Sequence, residues 1–528
     1  MEIRRLLRVG VVTLAAVSAI GPVLRPATAQ AQPIVWGPCP AIHSATGAVC
    51  ATVRVPRDYA DPNGPTIPIT VSKMSARDPA HRRGALFGNP GGPGLDAVGM
   101  FTMRLPKAIR DEWDLIAVQP RGLISSTPLK CASIGDAGLS SIVDYGARFR
   151  AGCERFAPGY PTTITTENTA RDTDRVRSAL GYSTVSLYGA SYGAFLMATY
   201  ASLFPGRVDR LILDSAVDPN LIWNGALQVQ APHYRERFAD MMSWIAANDH
   251  RYHLGTTALQ VYRRWSARVT AEAGVPPSVG PPPAAVGDVP PGLKIVAQQY
   301  LSGVDRLGPA RVKFENFVWS LATGRSQDQS ALLLLTRLAV PSRNIWPTVA
   351  ARTAGTLVGP RSLPPSVAAR LANATDLQSI LMCNENRVPA QPLDLPAIIY
   401  TTLVSRDVFD GPGLAFSSGV ACAGAAPVVR PVTIRNVGLR SAPMQLQSLG
   451  DPQTPYPQSL VMARVMRSQL VTVGGGDHVQ LGRLNPTVDA AVVAYLRSGR
   501  VPTATAPEAP IVLNLDGSQW NSYVGRGQ

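Results

Sequence analysis

Ser191 has the sequence surroundings of an activated nucleophile. It lies in residues 189–193, which read Gly-Ala-Ser-Tyr-Gly, after a strand-like run that begins at Val185 and before a helix-like run that begins at Ala194. Between a strand and a helix, such a Gly-x-Ser-x-Gly turn lifts the serine hydroxyl above a sheet, because its glycines leave room for a sharp bend. The pattern predicts that Ser191 attacks a carbonyl carbon.

A serine nucleophile needs a base, and the base needs an acid that orients it. In folds with this turn, the serine comes first along the chain, then the acid, then the histidine. His478 follows a late strand-like run on a glycine-rich loop, and we predict that it is the base. Asp451 follows the preceding strand in a tight turn and is the predicted acid, while Asp214 and Asp477 are its rivals.

A second loop, residues 88–94, is made almost entirely of glycine and proline and follows an earlier strand-like run. In this fold, the loop after an early strand supplies one of the two backbone N–H groups that stabilise an oxyanion. Proline has no N–H, so the candidates in this loop are Gly91 and Gly92. The amide of Tyr192 is the predicted second donor.

The elements that position these groups alternate between strands and helices, which predicts a mostly parallel, doubly wound sheet. Further strands are expected at 68–71, 84–87, 113–118, 210–215, 444–449 and 470–473. Asn168 or Thr169 is expected to cap a helix that ends before Gly181. Helical periodicity dominates from about 221 to 437, with helices expected at 234–247, 258–273, 310–321 and 329–338.

This pattern is typical of an α/β-hydrolase with a large, mainly helical cap inserted into its core. We expect a core of residues 30–220 and 438–500, a helical cap or lid of 221–437 and a tail of 501–528. Residues 1–29 read as a signal peptide, with arginines, a short apolar run and a small-residue exit near Ala29. The protein is therefore expected to be secreted or held at the cell envelope, without a stable membrane span.

The six cysteines fit an exported chain, because disulfides persist in oxidising compartments. Six cysteines allow fifteen connectivities. Proximity along the chain favours Cys39–Cys50 and Cys131–Cys153, which leaves Cys383–Cys422. No Cys-x-x-Cys or cysteine–histidine cluster indicates a metal site, and no cofactor is expected.

The net charge of +15 bears on partners. The chain has no nucleic-acid recognition motif and few aromatic residues, so a nucleic-acid partner is not expected. Electrostatic association with an anionic cell envelope fits the charge. A solvated basic surface without a partner is the competing interpretation.

Several motifs together resemble the secreted actinobacterial tripeptidyl aminopeptidases, which are related to prolyl aminopeptidase. They are V-P-R-D-Y, N-P-G-G-P-G, P-R-G-L-I-S-S-T-P, G-A-S-Y-G, L-F-P-G-R-V-D-R-L-I-L-D-S-A-V-D-P and G-D-P-Q-T-P. The resemblance implies a capped α/β-hydrolase that acts as a serine exopeptidase, with its triad at Ser191, Asp451 and His478. Gln119 stands where relatives usually have Asp, Val479 replaces a small residue, and the family's late cysteine pair is absent.

The resemblance also implies an acid in the cap that holds the free amino terminus of a substrate. Its nearest counterpart is Glu385, which follows Cys383 and Asn384. We therefore expect an exported aminopeptidase that releases short peptides. The alternatives are a carboxylesterase or lipase that acts on envelope esters, and a catalytically degenerate envelope-binding protein.

Overall fold

The computed structural model describes residues 34–43, 45–132, 141–358, 364–386 and 391–511. The predicted signal peptide and the end of the predicted tail lie outside these ranges. Among the helices of these ranges, none combines the length and the apolar character that crossing a bilayer requires.

Ten strands of the described residues form one sheet. They are β1 (Gly37–Pro38), β2 (Val49–Pro56), β3 (Thr66–Met74), β4 (Gly84–Asn89), β5 (Trp113–Val118), β6 (Val185–Ala190), β7 (Val208–Asp214), β8 (Met444–Ser448), β9 (Gln469–Val473) and β10 (Thr505–Ala506). Their spatial order is β1-β2-β3-β5-β4-β6-β7-β8-β9-β10. The pairs that link β1, β2, β3 and β5 are antiparallel, and all pairs from β5–β4 to β9–β10 are parallel.

The α-helices lie between and after these strands. They are α1 (Lys107–Glu112), α2 (Ser141–Glu154), α3 (Thr166–Ala179), α4 (Tyr192–Leu203), α5 (Asn224–Gln228), α6 (Gln230–Ala247), α7 (Asp249–Tyr252), α8 (Ala258–Ala273), α9 (Ala297–Thr323), α10 (Ala331–Ala339), α11 (Trp346–Ala354), α12 (Pro365–Glu385), α13 (Leu395–Ile398), α14 (Gly411–Ser417), α15 (Tyr456–Met466) and α16 (Pro486–Ser498).

Helices cover both faces of the sheet. Successive side chains of a strand point to opposite faces, so chain neighbours pack against different helices. Phe87 and Leu187 belong to a buried cluster that includes residues of α3, α4 and α15. Their chain neighbours Leu86 and Tyr188 belong to a second cluster, with residues of α1 and α16. With both faces covered, the central parallel strands read as continuous apolar runs, as expected for an α/β sheet.

Between β7 and β8, the described residues form helices and no strand of the sheet. Helices α6, α8, α10 and α11 share their own apolar cluster, in which Phe238, Trp265 and Trp346 are buried. The prediction of an α/β-hydrolase sheet with a helical insertion is confirmed. The predicted segment boundaries stay predictions.

Three element predictions differ from the structure. Helix α3 is capped by Thr165, whose hydroxyl accepts the N–H of Asn168, so the sequence placed the cap too late. Helix α9 begins well before Ala310 and runs through Pro309, although proline removes one donor from a helix interior. The segment 501–528, for which the sequence predicted a tail and no strand, contributes β10 at the edge of the sheet.

Three disulfides join Cys39 to Cys50, Cys131 to Cys153 and Cys383 to Cys422. These are the pairs that proximity along the chain predicted. The third closes a loop with a sequence separation of 39 and ties the end of α12 to the segment after α14.

Candidate active site

Ser191 occupies the turn between β6 and α4 in a strained conformation. Its φ of 58° lies in the left-handed region, which few residues other than glycine adopt. Glycine is required on both sides, since a Cβ on Gly189 would collide with the carbonyl oxygen of Gly193. A Cβ on Gly193 would in turn collide with the carbonyl oxygen of Asn89. The sequence therefore forms the sharp strand-to-helix turn that its glycines predicted.

The structure brings the predicted base and acid into direct contact. Nδ1 of His478 lies 2.8 Å from Oδ2 of Asp451 and 3.0 Å from Oδ1, and both residues are buried. The turn after β8 fixes the carboxylate, because its Oδ1 accepts the N–H groups of Gln453 and Thr454 at 2.8 and 3.0 Å. The hydroxyl of Thr454 donates to Oδ2 at 2.9 Å.

These contacts keep Asp451 ionised. Burial alone would raise its pKa, but the neighbouring His478 and the hydrogen bonds from His478, Thr454 and Gln453 outweigh burial. The pKa of Asp451 therefore lies below its ordinary value. An ionised, fixed carboxylate can hold one imidazole tautomer and stabilise the imidazolium that forms when His478 takes a proton.

The two rival acids have other partners. The carboxylate of Asp214 accepts a hydrogen bond from the hydroxyl of Tyr188 and others from two backbone N–H groups. Asp477 accepts the N–H of Arg343 at 2.7 Å and lies 3.6 Å from the guanidinium groups of Arg237, Arg343 and Arg483. The carboxylate within hydrogen-bond distance of the His478 imidazole is that of Asp451.

Asp214 anchors both Ser191 and the loop that carries His478. Its backbone oxygen accepts the N–H of Ser191 at 2.8 Å, and its carboxylate accepts the N–H groups of Gln480 and Leu481 at 2.8 to 3.0 Å. Within the described residues, no hydrogen bond joins the Ser191 hydroxyl to the imidazole. Catalytic contacts of this kind commonly tighten only when substrate binds.

The predicted oxyanion donors divide into two kinds. The N–H of Gly91 donates to Oδ1 of Asn89 at 2.9 Å, so this amide is already used inside its own loop. Gly91 instead allows close packing, since a Cβ there would collide with the carbonyl oxygen of Ala190 and lie 3.0 Å from Cβ of Ser191. Gly92 and Tyr192 line the cavity beside Ser191 and remain the candidate donors.

A cavity of about 50 Å³ lies beside Ser191. Thr454, Trp223 and Asp218 line it, although sequence reasoning did not single them out. Asp218 lies within the motif at 203–219 and Thr454 within the motif at 450–455, so these motifs could have indicated both residues. No sequence motif indicated Trp223. Among the described residues, no group of three or more His, Cys, Asp or Glu side chains could hold a metal ion.

Glu385 lies behind the cavity rather than in its lining. Its Oε1 accepts the N–H of Thr166, and its Oε2 accepts the hydroxyl of Thr166 at 3.0 Å and Nε1 of Trp223 at 2.9 Å. Burial raises its pKa to about 7, although these hydrogen bonds favour the charged form. The carboxylate of Glu385 is therefore bound by groups of the protein itself, whereas the sequence predicted that it would bind the amine of a substrate.

Three features together define an α/β-hydrolase fold. They are a serine turn between two glycines, a mostly parallel sheet, and an aspartate–histidine pair on the loops after β8 and β9. Residues 85–310 match the model of the alpha/beta hydrolase fold. Residues 413–507 match the model of the TAP-like proteins.

Relatives of this chain carry both peptidase and esterase names. Tripeptidyl aminopeptidase of Streptomyces lividans is 34% identical over 287 residues, which cover 49% of this chain and 52% of that protein. The match therefore spans about half the length of that relative. Serine protease Hip1 of Mycobacterium tuberculosis is 26% identical over 90% of this chain and 91% of its own length. Carboxylesterase B of the same organism is 27% identical over 90% of both chains.

Proposed function

We propose that the chain is a serine hydrolase in which Ser191 is the nucleophile, His478 the general base and Asp451 the orienting acid. The observation that carries the proposal is the buried Asp451–His478 pair. Ser191 supports it, because its backbone is strained in a tight turn. Asp214 also binds both the amide of Ser191 and the loop that carries His478. The backbone N–H groups of Gly92 and Tyr192 are the proposed oxyanion donors.

The proposed reaction has two halves. Nε2 of His478 takes the hydroxyl proton of Ser191 as the oxygen attacks a carbonyl carbon, and the amides of Gly92 and Tyr192 stabilise the oxyanion. Asp451 stabilises the imidazolium. The imidazolium then gives its proton to the leaving amine or alcohol, and an acyl-enzyme remains on Ser191. Water attacks this ester with His478 as base, which releases the acid and restores the serine.

The substrate we propose is a peptide with a free amino terminus, from which the enzyme releases a short N-terminal piece. Two relatives carry peptidase names, tripeptidyl aminopeptidase and serine protease Hip1. A small cavity under inserted helices suits the end of a chain better than its middle.

A carboxylesterase is the second candidate function. The match to Carboxylesterase B covers 90% of both chains and favours it specifically. The same triad cleaves esters and amides, so the catalytic residues alone do not choose between them.

We also propose that the protein works outside the cell, as a secreted or envelope-associated enzyme. The three disulfides support export, because they persist in oxidising compartments. The net charge of +15 supports electrostatic association with an anionic envelope.

Kinetics with a substrate panel test the function. Tripeptide anilides with free amines, their N-acetylated counterparts and short acyl esters are offered to the native chain and to Ser191→Ala. We expect the free-amine anilides to have the highest kcat/KM, and Ser191→Ala to lose about a million-fold in kcat, as for serine removal in another hydrolase. Higher kcat/KM for the esters would favour the carboxylesterase. Retained turnover in Ser191→Ala would refute the nucleophile.

A further inference from the structure

The loop that carries His478 is bonded to the inserted helices as well as to the sheet. The backbone N–H of His478 donates to the carbonyl oxygen of Pro341 at 2.9 Å. The backbone N–H of Arg343 donates to Oδ1 of Asp477 at 2.7 Å. Pro341 and Arg343 lie in the segment between α10 and α11, so the insertion binds the histidine loop at two successive residues.

Charged side chains reinforce this junction. Asp477 is buried and lies 3.6 Å from each of three guanidinium groups, those of Arg237, Arg343 and Arg483. Two of the three belong to the insertion, since Arg237 lies in α6 and Arg343 follows α10. Oε1 of Glu508 lies 2.7 Å from the Arg343 guanidinium and 3.4 Å from that of Arg237. Removing the charge of Asp477 would be costly, because buried guanidinium groups would lose a counter-charge.

The glycine-rich loop before Asp477 makes room for these contacts. A Cβ on Gly476 would lie 2.8 Å from Cζ and Nε of Arg237 and 2.6 Å from the carbonyl oxygen of Gly450. The guanidinium group of Arg237 also lies over the ring of Trp346, 4.6 Å from its centroid. The glycine at 476 therefore lets an arginine of the insertion reach the histidine loop.

The backbone of His478 is thus held from two sides. On the C-terminal side, Oγ of Ser215 accepts the N–H of Val479 at 2.8 Å. On the N-terminal side, Ser448 of β8 binds the carbonyl oxygen of Asp477 at 2.7 Å, but the insertion binds the carboxylate of Asp477 and the amide of His478. The place of Nε2 depends on where this backbone lies, and a misplacement of about 1 Å can cost about 100-fold in rate.

We propose that Asp477 is a positioning residue, which together with the segment between α10 and α11 fixes the loop of the catalytic histidine to the inserted helices. The inference rests on the proposed function and adds a part to it, since the insertion then helps to place the general base. The described lining of the cavity beside Ser191 does not include Asp477, so this residue acts through His478. Loss of its charge should slow the chemical step and leave substrate affinity almost unchanged.

Steady-state kinetics with p-nitrophenyl butyrate test this role, because a small ester needs the triad and little else. Asp477→Asn keeps the shape of the side chain and removes its charge. Asp240→Asn is the matched control, since Asp240 also pairs with Arg237, at 3.2 Å, but its side chain is 61% exposed. We expect Asp477→Asn to lower kcat by about tenfold to about 100-fold with KM within about twofold, and Asp240→Asn to stay within about twofold in both constants.

Proton NMR measures the position of the histidine without turnover. In the native chain, the Nδ1 proton that His478 donates to Asp451 should give a resonance far downfield of the amide protons, which Asp451→Asn removes. We expect Asp477→Asn to shift or broaden this resonance, while Asp240→Asn leaves it in place. An ion pair that only stabilised the fold would leave the resonance unchanged in the folded variant.

Two results would overturn the proposal. They are a folded Asp477→Asn with native kcat, and an unchanged His478 resonance in that variant. A native chain that hydrolyses no ester or peptide, but whose His478 resonance depends on Asp477, would contradict the proposed function and leave the positioning role standing.

A milder variant keeps the test decisive if Asp477→Asn does not fold. Ser342→Ala removes only the hydroxyl that accepts Nη1 of Arg483 at 3.2 Å, while Nη2 of the same arginine binds the carbonyl oxygen of His478. We then expect kcat to fall at least about threefold with an unchanged KM. A native kcat in Ser342→Ala would overturn the proposal.

Discussion

Asp214 holds the two halves of the proposed site without being its acid. Its backbone oxygen binds the amide of Ser191, and its carboxylate binds the amides of Gln480 and Leu481, just beyond His478. Burial raises the pKa of this carboxyl, and the hydrogen bonds that it accepts oppose the rise. At the scale of single residues, one aspartate orients the imidazole and another fixes the loop that carries it.

This division of labour predicts a contrast between two isosteric variants. Asp451→Asn should lower kcat by about 10⁴-fold with little change in KM, because an amide favours the wrong imidazole tautomer. Asp214→Asn should lower kcat far less, since its remaining oxygen still accepts a backbone N–H. Steady-state kinetics on one substrate measure both effects. Equal losses in the two variants would contradict the assignment of the acid.

Helix α12 joins the inserted helices to the sheet domain through its last turn. Glu385, its final residue, accepts the N–H of Thr166, the first residue of α3. The N-terminus of a helix carries partial positive charge and favours an anion. Asn384 donates to the carbonyl oxygens of Pro161 and Ile164, and Cys383 is bonded to Cys422, so three successive residues fix this end of α12.

The buried Glu385 predicts a pH-dependent stability at the scale of this helix contact. Its pKa rises from an ordinary value of 4.5 to about 7 in the folded chain, so the folded state binds a proton that the unfolded state has released. Stability from this group is therefore complete below the unfolded pKa and is lost as the pH rises towards the folded one. Thermal unfolding of the native chain and Glu385→Gln measures the difference. We expect the stability of the native chain relative to Glu385→Gln to fall as the pH rises from 4.5 to about 7. A constant gap would contradict the account.

At the scale of the whole molecule, the sheet was predictable because local signals agreed with one another. Strand β5 and helix α8 begin and end where the sequence placed them. Helix α8 has Thr257 as its cap and Gly274 as its left-handed end, so propensity and capping give the same answer. The start of α9 was missed, since the sequence placed a helix from residue 310, directly after Pro309, and this proline lies inside the helix.

The proposed site was predictable where a residue type has few alternatives. His478 is the histidine that follows a late strand, and the structure pairs it with Asp451. The use of the Gly91 amide by Asn89 was not predictable, because it depends on the path of a loop. That Asp218 lines the same cavity as Ser191, Gln378 and Gln453 was not predictable, because these residues are far apart in the sequence and no local pattern brings them together.

The central claim is that Ser191 is an activated nucleophile, and covalent labelling tests it most directly. The native chain is treated with a fluorophosphonate probe, digested and sequenced by mass spectrometry, with Asp451→Asn and heat-unfolded protein as controls. We predict a single adduct on Ser191 in the native chain, a much slower reaction in Asp451→Asn and no adduct after unfolding. An adduct on another serine, or a native chain that hydrolyses substrate without an adduct on Ser191, would contradict the account.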